Sequence, residues 1–175
     1  MRDKNHVQMK IEVANPTHVN QIFKLLQAVA QNMREKGIMQ WNENYPTLAH
    51  VKTDVANKIV FLGIHDHELS AVISIDAKQS PEYGEIPWKY TSGEIMVVHR
   101  LAVSPTAQKK GLGNLLMDFA HQKAINEGYS AIRLDAFSEN ENTLHFYEKR
   151  GYKKRGEIYF PYRKAPFYCF EKKIK

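Results

Sequence analysis

From Glu94 to Val103 the chain is apolar on both faces of an extended segment, apart from Glu94, His99 and Arg100. A strand of that kind is stable only inside a sheet that is covered on both sides. The rest of the chain must therefore supply flanking strands and two layers of helix. Its 175 residues, 43% of them apolar and 11% aromatic, suffice for that within a single domain spanning 1–175. A chain so rich in apolar side chains can bury a core, which excludes disorder.

The surrounding periodicities supply those elements. Val7, Met9, Ile11 and Val13 alternate as in a first strand. Asn15 followed by Pro16 reads as an N-cap with proline at the first helical position. Val19, Ile22, Phe23, Leu26, Val29, Ala30 and Met33 then recur at helical spacing until Gly37. A shorter helix runs from Thr47 to Asn57. Ile59–Ile64 and Leu69–Ile75 form a hairpin across His65-Asp66-His67-Glu68. Lys78 to Gly93, with two prolines, two glycines and three aromatic residues, is a long ordered loop.

After the central strand, Leu112, Leu115, Leu116, Phe119 and Ala120 mark a helix that Gly128 ends. Ala131–Phe137 is then a strand parallel to the central one, because a helix crosses between them. Ser138 and Glu141 have the spacing of a capping box for a helix that stops at Gly151. Strands near Tyr152–Phe160 and Phe167–Lys172 close the chain. The order predicts an α+β fold: a mixed sheet with helices on both faces.

Other features bound the function. No apolar run approaches the roughly eighteen residues of a membrane span, so no membrane partner is expected. The opening MRDKNHVQ lacks the apolar core of a secretory signal. Cys169 is the only cysteine, which excludes an internal disulfide and a multi-cysteine zinc site. The expectation is a cytoplasmic protein without a metal, His65-x-His67 being a solvated hairpin tip. Cys169 itself reads as an ordinary strand residue. The net charge of +6 arises from Glu148 onward, where ten Lys and Arg face three Asp and Glu. Such a surplus can attract a polyanion, a phosphorylated small molecule or an acidic substrate.

The central strand leads into Gln108-Lys109-Lys110-Gly111-Leu112-Gly113-Asn114, a loop with two glycines that opens a helix. The first amides of a helix lack internal partners and point along a favourable dipole, so they can hold phosphate. A Walker A loop would need the string GxxxxGK followed by Ser or Thr, which is absent. A dinucleotide fingerprint would need a third glycine where Leu116 stands.

The hexapeptide Gln108–Gly113 matches the pattern Q/R-x-x-G-x-G/A of the GCN5-related N-acetyltransferase (GNAT) family. Downstream, Asn140-Glu-Asn-Thr-Leu-His-Phe-Tyr147-Glu-Lys-Arg-Gly151-Tyr152 resembles the family's second signature, with Thr143 in place of the usual alanine. The resemblance covers Glu94 to Tyr152 strongly and the whole element order weakly. It implies a mostly antiparallel sheet with a parallel strand pair at the acetyl-CoA site, and transfer of the acetyl group of acetyl-CoA to a primary amine. The acceptor would be a small molecule or peptide, attacking directly in a ternary complex.

Carried over residue by residue, Leu101, Ala102 and Val103 would offer backbone groups to pantetheine and the thioester. The amides of Gln108, Lys109, Lys110, Gly111, Leu112, Gly113 and Asn114 would hold the pyrophosphate. Asn140 would reach the cosubstrate through its side chain. Tyr147 would protonate the leaving thiolate. Glu94 and His99 are the candidate bases, His99 being equally readable as a satisfied core residue; alternation puts His99 on the face of Leu101 and Val103, and Glu94 with Arg100 on the other. Arg100 and Asp135 read as a buried ion pair. Trp41, Tyr45, Trp88, Tyr90, Phe160, Tyr162 and Phe167 are candidates for an aromatic acceptor pocket, or equally for core or a homodimer interface. A catalytically weak acyl-CoA-binding sensor or interaction module of the same fold is the alternative, and a nucleic-acid partner, suggested only by the basic surplus, ranks below both.

Overall fold

The structure is a computed structural model in which residues 7–161 and 163–174 are described. Tyr162 and the first six residues of the opening segment lie outside them. The fold is α+β. Seven strands form one sheet in the order β1-β2-β3-β4-β5-β7-β6. They are β1 (Lys10–Val13), β2 (Val60–His65), β3 (Glu68–Asp76), β4 (Ile95–Val103), β5 (Ala131–Phe137), β6 (Lys153–Ile158) and β7 (Phe167–Lys173). The helices are α1 (Val19–Glu35), α2 (Leu48–Ala56), α3 (Leu112–Asn126) and α4 (Glu141–Lys149). β1–β2, β2–β3, β5–β7 and β6–β7 pair antiparallel, whereas β4 and β5 run parallel as the crossover helix requires. Among the described residues no helix is long and apolar enough to cross a membrane.

The chain packs as two compact units. The first is Met1–Ser74 with Arg100–Phe119. Here Asn15 accepts the Thr17 N–H at 2.9 Å ahead of Pro16, and Gly37 at φ +76° ends α1, as the sequence predicts. The first strand is shorter than the alternation from Val7 suggests, because pairing with β2 begins at Lys10. The β2–β3 hairpin turns on Asp66 and His67, both at positive φ, a type I′ geometry that suits the strands' twist. Val60 and Leu62 of β2 join the apolar stripe of α1 and α2 in one core with Val72 and Ala102. Phe61, on the opposite face of β2, meets Phe119 of α3 at 4.9 Å between ring centroids. The sheet is thus covered by helix on both faces here.

One expected ion pair is corrected in this unit. Arg100, buried in β4, pairs with Asp54 of α2 and donates to the Tyr45 hydroxyl at 2.6 Å. A charge so enclosed needs partners, and Asp54 of α2 with Tyr45 ahead of that helix supplies them in place of Asp135.

The second unit is Ile75–His99 with Ala120–Lys175. Its organising charge is Glu171 of β7, which has no exposed surface. Glu171 accepts the backbone N–H groups of Lys89 and Tyr90 at 3.0 and 3.2 Å, and the Nε–H groups of Arg133 and Arg155 at 3.3 and 3.0 Å. Arg133 also donates to Gln79 and to the Tyr90 carbonyl, and lies 4.2 Å over the Trp88 ring. The long segment before β4, with its short 3-10 helix Pro81–Glu85, is therefore tied to β5 and β7.

The capping residue of α4 is a second correction. Asn140, and not Ser138, is the N-cap, its Oδ1 accepting the Thr143 N–H at 3.3 Å. The Ser138 N–H still donates to the Pro166 carbonyl at the mouth of β7, so the chain stays extended past Phe137 before it can turn.

Candidate active site

Beyond Val103 the first unit passes through a short 3-10 helix, Pro105–Ala107, to Gln108 and the start of α3. Lys109 at φ +65° and Gly111 at φ +83° alternate with ordinary backbone at Lys110 and Leu112. Such alternation turns successive N–H groups toward one concavity, which suits an anion. A Cβ built on Gly111 meets nothing within 4 Å, so glycine serves its backbone conformation there and not close packing. Lys109 and Lys110 are exposed beside it. Gln108 Nε2 donates to the Val103 carbonyl at 3.3 Å and closes the loop on the end of β4. Backbone amides turned by this alternation, a left-handed glycine and two cations form a donor set that fits a pyrophosphate. Leu101 and Val103 are half-buried, while Ala102 belongs to the core.

The other candidates lie in the second unit. His99 is in β4 and its Nε2 is 2.5 Å from Asp76 Oδ1, with about a quarter of each side chain exposed. It is not a core histidine. Glu94 precedes β4, is exposed, and accepts the Ser130 N–H through its carbonyl. Asn140 is buried as the cap described above.

Tyr147 is buried on α4 among Phe146, Tyr152 and Phe170, with ring centroids 5.2, 5.7 and 6.3 Å away. Burial pushes its phenol well above the ordinary tyrosine range, and the Asp135 carboxylate pushes it further. Arg150 acts weakly the other way.

Asp135 connects these groups. The parallel register runs from Ile95 opposite Ala131 to Val98 opposite Leu134, so His99 and Asp135 are the first residues past it on their strands. Asp135 accepts the Tyr83 hydroxyl hydrogen at 2.7 Å on Oδ2. Burial raises its carboxyl above the usual value, against the lowering effects of the Tyr83 hydrogen bond and of His99. The sequence pattern did not single out Asp76 or Tyr83. Asp76 ends β3 just before a loop, and Tyr83 is one aromatic among several in that loop.

The aromatic candidates are divided. In the first unit Trp41 is a core residue and Tyr45 is engaged by Arg100. In the second, Trp88 donates its indole N–H to the Tyr83 carbonyl at 2.9 Å, and Phe160 and Phe137 pack on Phe167.

Comparison with known proteins agrees with the fold. A chain of the acetyltransferase of GNAT family from Streptococcus agalactiae 2603 superposes with a TM-score of 0.80, covering 96% of this chain and 97% of that one at 22% identity. An Arabidopsis thaliana protein solved in complex with the bisubstrate analogue CoA-Ac-MVNAL superposes with a TM-score of 0.68, covering 95% and 99% at 15% identity. The Uncharacterized N-acetyltransferase YesJ of Bacillus subtilis (strain 168) is 27% identical over 156 residues, 87% of this chain and 83% of that protein. The model of the Acetyltransferase (GNAT) family matches residues 44–152, which is more than half of the sequence. The chain therefore belongs to the GNAT family of acetyltransferases.

Proposed function

We propose that this protein is an acetyl-CoA-dependent N-acetyltransferase acting on the primary amine of a small molecule or peptide, by direct attack within a ternary complex. The observation that carries the reading is the pairing of His99 in β4 with Asp76 at the end of β3, His99 lying two residues ahead of the backbone expected to receive the thioester. A relative solved with a CoA bisubstrate analogue supports the choice of cosubstrate. We read 1–175 as one acetyltransferase domain that works in the cytoplasm.

Acetyl-CoA supplies the activated acyl group. Backbone groups of Leu101, Ala102 and Val103 align the pantetheine arm and thioester. The amides of Gln108 to Asn114 hold the pyrophosphate, and Asn140 adds a side-chain contact. A primary amine is mostly protonated near neutral pH and must lose a proton before it attacks. His99 takes that proton, with Asp76 on Nε2 fixing the tautomer that leaves Nδ1 as acceptor. Glu94, exposed and ahead of the strand, is the less suited of the two bases. Tyr147, whose proton is firmly held, donates to the leaving sulfur. One C–S bond is exchanged for a C–N bond, and CoA leaves as the thiol.

The test is a calorimetric titration with acetyl-CoA, followed by a primary-amine panel scored by thiol release. Saturable binding and amine-dependent release are expected. Absence of saturable binding would defeat the reading, and binding without turnover of any amine would favour the acyl-CoA sensor.

A further inference from the structure

Asp135 has no role in the reaction as described so far, yet it stands where the parallel strand pair ends, directly after the last registered pair and level with His99. Its neighbours Leu134 and Ala136 are sealed, whereas Asp135 keeps partial exposure. Among the described residues no Lys or Arg pairs with it, and the Tyr83 hydroxyl is its hydrogen-bond donor, on Oδ2 alone. A carboxylate can accept about four hydrogen bonds, so Oδ1 is left for a ligand. An enclosed anion without a cation is costly, and folds that keep one commonly use it.

The missing cation has a natural source, because an alkylamine enters as an ammonium ion. His99 can accept its proton only if the ion is held nearby, and the Asp76 carboxylate is already engaged by His99 and the Lys78 N–H. We propose that Asp135, oriented by Tyr83, is the ammonium subsite for the acceptor, docking the charged amine beside His99 before it is deprotonated. The subsite makes the protein selective for acceptors that carry positive charge on arrival. The inference rests on the N-acetyltransferase reading but has its own readout.

That readout is calorimetric titration of butylammonium chloride into wild-type protein and Asp135→Asn, each also titrated with acetyl-CoA. Asparagine preserves size and the acceptor for Tyr83 and removes the charge. Butylammonium affinity is expected to fall about tenfold or more in the variant, with acetyl-CoA still bound. In turnover, the preference for butylamine over hydroxylamine, a nucleophile largely uncharged near neutral pH, is expected to fall by a similar factor. No uptake of butylammonium by wild-type protein, or equal uptake by both proteins, overturns the subsite. Butylammonium binding without any acetyl-CoA binding upholds the subsite and sinks the transferase reading instead.

Discussion

Oδ1 of Asp76 lies 2.5 Å from Nε2 of His99 and also accepts the Lys78 N–H at 2.7 Å. The carboxylate is thus fixed by its own backbone turn before it orients the ring. His99→Asn is expected to lower kcat/KM for an amine by about 10²–10⁴-fold, the usual span for a lost general base. Asp76→Asn should cost less, about tenfold, because the imidazole remains but its tautomer is no longer fixed. Thiol release measured alongside acetyl-CoA affinity checks both. A loss of acetyl-CoA binding equal to the loss of turnover would assign the pair to architecture.

Tyr147→Phe should bind acetyl-CoA as the parent does and turn over more slowly by about 10²-fold or more. The phenol is raised by burial and by Asp135, so it stays protonated well into the alkaline range. The rate profile of the parent should therefore show no alkaline fall attributable to this residue. A fall near the ordinary tyrosine value, about pH 10, would contradict the buried setting.

Asp135 also makes a prediction about stability. Its carboxyl is raised in the folded state, chiefly by burial. The folded protein then keeps this proton at pH values where the unfolded chain has released it. The contribution is complete below the unfolded value, about 3.9, and is lost as pH rises through the folded one. Asparagine carries no such dependence. Thermal midpoints of Asp135→Asn should thus gain on wild type between pH about 4 and neutrality. A gap moving in favour of wild type over that range would mean that the ionised carboxylate stabilises the fold.

Glu171→Gln should be severely destabilising. It removes the charge that two buried or half-buried guanidinium groups and two backbone amides share. Breaking such a site leaves Arg133 without its counter-ion, at a cost of about 3–5 kcal/mol. Urea unfolding measures the total, and faster hydrogen exchange at Lys89 and Tyr90 would locate it. A midpoint within experimental scatter of wild type would show that Gln79, Tyr90 and Trp88 hold Arg133 unaided.

Much of this was legible in the residues, and the exceptions share a cause. Ala131–Phe137 was expected as a strand parallel to β4 and is found so, because hydrophobic run, crossover helix and register all act locally. The two glycine-bearing motifs likewise need only short-range spacing. Ser138 carries the right pattern for a cap but is held extended by Pro166, a partner distant in sequence. Arg100 finds Asp54 on α2, and no periodicity says which face of α2 looks at β4. Asp76 and Tyr83 acquire meaning only once β3 and the following loop are set beside β4 and β5. Side chains that answer long-range neighbours are illegible until those neighbours are placed.

The single thiol offers a practical consequence. Cys169 is fully enclosed in β7, and its burial and the Asp135 charge push it up to about 12. At assay pH it is both unreachable and protonated, so a thiol-reactive dye is blind to the folded polypeptide. Every equivalent of colour in a turnover assay can then be credited to released CoA, without a protein blank. The same silence makes Cys169 a clock: the rate at which the dye eventually marks it reports how often β7 comes out of its sheet.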